Sequence, residues 1–95
     1  MKIIQSPLFA RKVKKFHKNE KLKLDKIIKE IVDEPTSGQE KKGDLKGIYI
    51  YKFKISTTQY LLAYRFREDV LELITIGSHE NYYKDLKIYL KTRKA

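Results

Sequence analysis

The sequence predicts an α+β fold in which two N-terminal helices and a C-terminal helix pack on a twisted, mainly antiparallel four-stranded sheet. Apolar residues recur at helical spacing between residues 7 and 34, and apolar and polar residues alternate between residues 48 and 76. Short polar segments separate the alternating runs, as is typical of antiparallel hairpins. The 95 residues suffice for a single domain, 1–95, with the element order β-α-α-β-β-β-α.

The first third of the chain carries the signals for one strand and two helices. Lys2–Gln5 predicts a short strand, Ser6 is a favourable N-cap and Pro7 suits the first helical position. The two helices are expected to meet at a tight joint around Asn19–Lys21, and Pro35 stops the second. The helical spacing is carried by Phe9, Val13 and Phe16 in the first helix and by Leu24, Ile27, Ile28, Ile31 and Val32 in the second.

The remaining elements are expected after a polar loop at 36–47, which contains three glycines. Two short polar connections, at 56–58 and 68–69, make neighbouring strands antiparallel hairpins. Gly77 is expected to end the last strand, and Asn81 can cap a final helix. The predicted strands are about Ile48–Ile55, Gln59–Arg67 and Val70–Ile76.

The composition narrows the classes of function. A net charge of +10 steers a protein of this size toward polyanions such as nucleic acid, an anionic membrane or an acidic protein, although a solvated lysine-rich surface would give the same count. No apolar run is long enough to span a bilayer, and the N-terminus does not resemble a signal peptide. With no cysteine to form disulfides or thiolate metal sites, we expect a cytoplasmic protein.

The middle strands carry cations on alternate positions. Lys52 and Lys54 share one parity, whereas Tyr51, Phe53 and Ile55 share the other, so the two sets should point to opposite faces of a strand. Arg65 and Arg67 repeat this pattern on the next strand. One face of the sheet is therefore expected to pack on the helices while the other presents a row of positive charges.

The chemistry that the sequence allows is narrow. It has no Gly-rich phosphate loop, no HExxH, no GxSxG and no Cys/His set, and its acidic residues are scattered, so we expect no metal and no cofactor. Phosphoryl chemistry would then use the RNA 2′-hydroxyl as nucleophile, with a base, an acid and cations. Lys52, Lys54 and Arg65 could supply the cations, and His79 could transfer a proton.

Further candidates follow from position in the chain. Tyr82 or Tyr83, shortly after His79, could stack on a base or donate a proton. The further candidates for RNA contact are Lys42, Lys46, Arg67 and Lys84. Each assignment has an ordinary structural alternative: His79 could only cap a helix, the strand lysines could only face solvent, and Arg65, in an apolar run, should have a fixed partner. His17, among lysines, is expected to be an ordinary surface histidine.

Several motifs resemble the RelE/ParE superfamily of toxins from bacterial and archaeal toxin–antitoxin pairs, over nearly the whole chain. The YKFKI motif that begins at Tyr51 and the YLLAYR motif that ends at Arg65 are similar to those of RelE-type mRNA endonucleases. The Ile-Gly-Ser-His ending at His79 is closer to the YafQ and YoeB branches. Two departures from RelE are Leu61, where RelE has an arginine, and His79, which replaces another arginine.

The resemblance implies a function for each candidate residue. Lysines at the places of Lys52 and Lys54 stabilise the scissile phosphate in the RelE branch, and a histidine at the place of His79 acts as general acid or base in the YafQ and YoeB branches. Arg65 matches the arginine of a YoeB-type Tyr-Arg pair. The implied partners are mRNA, the ribosome and an acidic antitoxin protein.

The resulting hypothesis is a type II toxin that cuts mRNA in the ribosomal A site without a metal and inhibits translation. The alternative is a ParE-like inhibitor of DNA gyrase, or an inactive homologue that acts as a binding module. A general RNA-binding domain fits less well, because the sheet lacks the exposed aromatic residues on which an RRM stacks bases.

Overall fold

A computed structural model describes residues 1–41, 43 and 46–78 of the chain. The helices are α1 (Pro7–Val13) and α2 (Lys18–Asp33), followed by one turn of 3₁₀ helix at Pro35–Ser37. The strands are β1 (Lys2–Gln5), β2 (Gln39–Glu40), β3 (Tyr49–Ile55), β4 (Thr58–Arg67) and β5 (Val70–Ser78). The predicted C-terminal helix lies outside the described residues.

The strands form one five-stranded mixed sheet in the order β1-β5-β4-β3-β2. β3, β4 and β5 are successive antiparallel neighbours, which confirms the predicted hairpins. β1 pairs in parallel with β5. β2 lies inside the segment that was predicted to be a loop, and it pairs with β3. The sheet therefore has five strands, and the prediction of four strands was wrong. A two-residue strand is too short to show a period of two, which is why its sequence gives no strand signal.

The joint between the helices lies earlier than predicted. α1 ends at Val13 and α2 begins at Lys18, so the joint is at residues 14–17 rather than at Asn19–Lys21. His17 is the N-cap, and its backbone N–H donates to Glu20 Oε1 over 2.7 Å. A carboxylate at the third helical position satisfies one of the free donors at a helix start, so the His17–Glu20 pair fixes where α2 begins.

The N-terminus of α1 is attached to β5, the neighbour of β1 in the sheet. As predicted, Ser6 is the N-cap, and its Oγ accepts from the Phe9 N–H at 3.0 Å. The same hydroxyl donates to the carbonyl of Ile74, and the Ser6 N–H donates to Leu73 O over 2.9 Å. Ile74 is the extra residue of a β-bulge, because Ala63 pairs with Thr75 and Tyr64 pairs with Leu73. A buried bulge carbonyl thereby gains a donor.

The two faces of the sheet have different neighbours. The helix face, on which α1 and α2 pack, contributes Phe53, Ile55, Leu62, Tyr64, Leu71, Leu73 and Ile76 to the core, together with Phe9, Leu24, Ile27 and Ile31 of the helices. The other face is named the lysine face here, because Lys52 and Lys54 lie on it. Strand alternation along β3 therefore separates the core residues from the cations as predicted.

The last strand extends further than expected. β5 continues through Gly77 to Ser78, which pairs with Tyr60 of β4. None of the described helices is long and apolar enough to cross a membrane.

Candidate nucleic-acid interface

The centre of the candidate interface is the pair of lysines on β3. Lys52 and Lys54 are both exposed, while Phe53 between them is buried on the helix face. The burial of Phe53 and Ile55 fixes the orientation of the strand, because a slip of one residue would place both lysines in the core. The packing of Phe53 and Ile55 on the helix face thus keeps the ammonium groups of Lys52 and Lys54 on the lysine face.

Cross-strand pairing places Lys52 near the end of β5. Lys52 is opposite Leu61, and Leu61 is opposite Gly77. Two strand spacings separate the Lys52 and Gly77 backbones by roughly 10 Å. Lys54 is opposite Gln59, which is also exposed. A side-chain amide and an ammonium group therefore lie side by side at the β3–β4 hairpin end of the lysine face.

The floor beside the lysines is apolar. Leu61 is fully buried, and the neighbouring Ile50 and Ala63 of the same face are at most 2% exposed. Among the described residues near Lys52, hydrocarbon therefore forms the surface between the β3 lysines and β5.

Arg65 lies on the lysine face but is paired. Its Nη2 is 2.7 Å and its Nε 3.2 Å from Glu72 Oε1. The Glu72 side chain is 12% exposed and that of Arg65 is 30% exposed. Arg65 lies four positions after Leu61 on β4, about 13 Å along the strand. Arg65 therefore has the fixed partner that its apolar surroundings predicted, and it is not beside Lys52.

The second arginine of β4 lies further along the same face. Arg67 is exposed, and with Ile4, Arg65, Val70 and Glu72 it lines a groove of about 350 Å³. Lys46, the other described residue predicted to contact RNA, is exposed before β3. Among the described candidates, the β3 lysines are thus separate from Arg65 and Arg67 on β4, and Lys46 precedes β3.

The tyrosines of the described sheet belong to the helix face. The Tyr51 hydroxyl donates to Glu30 Oε2 over 2.8 Å, and the Tyr60 hydroxyl donates to Glu20 Oε2 over 3.4 Å. The hydrogen bond to Glu30 is the main cause that raises the pKa of Tyr51 above 10.0, whereas for Tyr60 the main cause is burial. These phenols attach α2 to the sheet, away from the lysine face.

Lys42, His79, Tyr82, Tyr83 and Lys84 lie outside the described residues. His17 is exposed, as expected for a surface histidine. Within the described part of the chain, no group of three or more His, Asp or Glu side chains could hold a metal ion.

Two residues of the lysine face were not identified from the sequence. Glu72 is the partner of Arg65, and it is the lone acidic residue between Val70 and Ile76. An isolated carboxylate in an apolar strand is a signal that could have indicated the pair, since buried charges need partners. Gln59 gave no signal, because its position beside Lys54 depends on the hairpin register.

Two helices pack on one face of the mixed sheet, and two exposed lysines lie on the other. The chain matches the family model of the ParE-like toxin of type II bacterial toxin–antitoxin systems over residues 3–87. It therefore belongs to this family, within the RelE/ParE superfamily, and is the toxin of a type II system.

Solved structures with the same fold are toxins. A double arginine mutant of Escherichia coli RelE in the free state is 17% identical, with a TM-score of 0.71, and the match covers 99% of this chain and 97% of that chain. A chain of the E. coli RelBE toxin–antitoxin complex is 20% identical, with a TM-score of 0.67, covering 83% and 96%. At such identities the likeness concerns the fold. A comparison with curated proteins found no match.

A third structure is the YoeB/ParE toxin from Agrobacterium tumefaciens. It is 19% identical, with a TM-score of 0.67, and the match covers 83% of this chain and 99% of that chain. The structural relatives therefore include toxins named RelE and YoeB/ParE.

Proposed function

We propose that this toxin is an mRNA endonuclease that acts in the cytoplasm on the ribosome and inhibits translation. The observation that carries the proposal is the pair of exposed lysines, Lys52 and Lys54, on a strand of the face that is not covered by α1 and α2. Two adjacent cations on a fixed backbone suit a phosphodiester, because they cost no reorganisation as charge develops. The partners would be mRNA, the ribosome and a cognate antitoxin.

The reaction is a transesterification within the RNA. The 2′-oxygen attacks the adjacent phosphorus, the bond from phosphorus to the 5′-oxygen breaks, and a 2′,3′-cyclic phosphate forms. A base takes the proton from the 2′-hydroxyl, and an acid gives a proton to the leaving 5′-oxygen. Lys52 and Lys54 would neutralise the charge on the non-bridging oxygens, and His79, next in sequence after the end of β5, would transfer one proton.

The remaining candidates have secondary functions in this proposal. Gln59 beside Lys54 can donate to a phosphate or base oxygen, since its amide has two N–H donors. Tyr82 or Tyr83 would contact a base. A direct contact of Arg65 with the scissile phosphate stays a prediction, and Lys42, Lys46, Arg67 and Lys84 would contact RNA outside the reacting group.

The first prediction concerns the β3 lysines and the histidine. We expect Lys52→Ala, Lys54→Ala and His79→Ala each to lower the rate of mRNA cleavage roughly tenfold or more, because each removes charge stabilisation or proton transfer. The measurement is cleavage of a defined mRNA on purified ribosomes, with detection of the cyclic phosphate end. Thermal unfolding should show little change for the two lysine variants, since both side chains are exposed.

A matched control is Lys29→Ala, which removes an exposed lysine from α2, on the other side of the sheet. It should cleave like the unmodified toxin. Wild-type cleavage in all three test variants would contradict the mechanism. DNA damage without mRNA cleavage on expression of the unmodified toxin would contradict the endonuclease proposal and favour inhibition of gyrase.

A further inference from the structure

The outer edge of β3 is only partly covered. β3 runs from Tyr49 to Ile55, but β2 pairs only with Tyr49 and Ile50, and β2 is the last strand in the sheet order. The chain before β2 leaves the edge as the 3₁₀ turn at Pro35–Ser37, and the Tyr64 hydroxyl binds that turn on the helix face. Among the described residues, no strand therefore lies beside the second half of β3.

The main-chain groups of this open stretch belong to the two lysines. The Lys41 N–H donates to Ile48 O over 2.8 Å, so Ile48 directs its main-chain groups toward the β2 side. Alternation along an antiparallel strand gives Ile50, Lys52 and Lys54 the same direction, while the residues between them face β4. On that side the Lys52 and Lys54 main chains form no hydrogen bond within the described part of the chain. Two donors and two acceptors are therefore open.

We propose that this open edge, formed by the main chains of Lys52 and Lys54, binds unpaired bases of the RNA substrate. The inference rests on the proposed function, because it assigns a further contact to the same site. Each of the two residues offers one N–H and one C=O side by side. The Watson–Crick edge of every RNA base also carries a neighbouring donor and acceptor, and in single strands these edges are free to bind protein.

Different atoms of the same residues would bind the phosphate and the base. The ammonium groups of Lys52 and Lys54 stand on the lysine face, whereas their N–H and C=O groups point sideways in the plane of the sheet. The two positions are about 7 Å apart along the strand. An RNA strand whose phosphates lie on the lysine face can therefore turn its bases to the edge.

Gln39 extends the same edge. It lies opposite Ile50, so its side chain is on the lysine face, and it is exposed. Its amide supplies further donors and an acceptor at the point where the open stretch begins. The edge thus combines side-chain and main-chain groups that can bind a base.

A strand of another protein suits this edge less well. The open stretch has only two outward-pointing residues, because β2 occupies the positions before it and a turn begins at Ser56. Lysines on an edge strand also oppose pairing with a second copy of a chain whose net charge is +10. The same charges attract RNA.

Amide hydrogen exchange of the full-length toxin tests the contact, with a single-stranded RNA whose 2′-hydroxyls are methylated so that it cannot be cut. In the free toxin the amides of Lys52 and Lys54 should exchange fast, and that of Phe53, which faces β4, slowly. With RNA in excess, Lys52 and Lys54 should slow roughly tenfold or more, because each gains a hydrogen bond. The amide of Ile3, at the opposite edge of the sheet, should not change. Unchanged exchange at both lysines in the RNA complex would overturn the proposal.

Two other oligonucleotides separate the bases from the phosphates. A duplex of the same sequence has its Watson–Crick edges already paired, and an abasic strand keeps only sugar and phosphate. Both should leave the Lys52 and Lys54 amides fast. Equal protection by the abasic strand would identify phosphate as the ligand and overturn the contact with bases. Protection in concentrated toxin alone, with a dimer in sedimentation, would identify a second copy as the occupant and also overturn it.

Cleavage on purified ribosomes gives an independent measurement. An ester in place of the Lys54 amide removes the N–H and keeps the ammonium group. It should lower the cleavage rate about fivefold, as expected for the loss of one hydrogen bond. The matched control is the same replacement at Ile3, which should cleave like the unmodified toxin. Equal cleavage by the two esters would overturn the proposal and leave the proposed endonuclease intact.

Failure of the proposed function gives a different result. If the unmodified toxin cuts no mRNA but the methylated RNA still protects Lys52 and Lys54, the contact stands and the reaction alone is wrong. If the free oligonucleotide protects no amide because binding needs the ribosome, the comparison of the two esters decides.

Discussion

At the scale of residues, the ion pair between Arg65 and Glu72 has the clearest physical cause. A guanidinium and a carboxylate in a mostly apolar pair of strands each lose hydration, and their mutual attraction through two N–H contacts offsets this loss. The register of β4 and β5 sets Arg65 directly opposite Glu72. The pair thus fixes the alignment of these strands as well as neutralising the arginine.

This pair should be energetically coupled. We expect Arg65→Met and Glu72→Met each to lower the free energy of unfolding, because each leaves one charge without this partner. The double variant should be about 1–2 kcal/mol more stable than the sum of the two single changes predicts, since it removes both charges. Urea denaturation of the four proteins measures this coupling. Strict additivity would show that the contact contributes nothing.

The same double variant separates stability from catalysis. It lacks the guanidinium but should regain part of the lost stability. If Arg65 contacts the scissile phosphate, as the resemblance implies, cleavage by the double variant should stay low. Wild-type cleavage would restrict Arg65 to its contact with Glu72.

At the scale of elements, the segment after α2 is held against the sheet by the pairing of β2 with β3 and by one phenol. The Tyr64 hydroxyl donates to Pro35 O over 2.7 Å and accepts from the Gly38 N–H at 2.9 Å. These bonds attach the 3₁₀ turn and the start of β2 to β4. They explain how a polar segment with no periodic pattern forms ordered structure.

Gly38 is required at this contact for its size. A Cβ there would lie 2.6 Å from Tyr64 Oη and 3.0 Å from Ile50 O. We expect Gly38→Ala to destabilise the fold by about 1–3 kcal/mol, because the backbone or Tyr64 must move. Gly77→Ala is the matched control, since a Cβ there meets nothing within 4 Å. Chemical denaturation compares the two, and equal stability would contradict the packing of Tyr64.

At the scale of the whole molecule, tyrosines and acidic residues join the helices to the sheet in a protein that is otherwise strongly basic. Burial is the main cause that raises the pKa of Tyr64 above its ordinary value of 10.0, and also that of Tyr49. A raised pKa in the folded state means that the neutral phenol is favoured there. The stability that the neutral Tyr64 phenol contributes is fully present below pH 10. It is lost as the pH rises further, because the tyrosine of the unfolded chain ionises first.

The resulting prediction concerns alkaline unfolding. The difference in unfolding free energy between the unmodified toxin and Tyr64→Phe should be constant between about pH 7 and 9 and should shift against the unmodified toxin above about pH 10. The unfolded tyrosine ionises there more readily than the folded one, whereas phenylalanine cannot ionise. Comparison with the variant cancels the titration of the lysines. A difference that does not change up to pH 11 would contradict the raised pKa.

Local rules determined much of this protein from its sequence. Alternation along β3 put Lys52 and Lys54 opposite the core, and Ser6 with Pro7 marked the start of α1, because side-chain direction and capping depend on neighbours in the chain. The toxin family was likewise indicated by short motifs. These features need no knowledge of which strands meet.

Tertiary structure decided the rest. The parallel pairing of β1 with β5, the strand at Gln39–Glu40 and the choice of Glu72 as partner of Arg65 depend on contacts between distant segments. Sequence periodicity states which way a side chain points but not what it meets. The alignment of the strands, which the whole core stabilises, therefore determined that Arg65 forms an ion pair with Glu72 while Lys52 and Lys54 remain exposed.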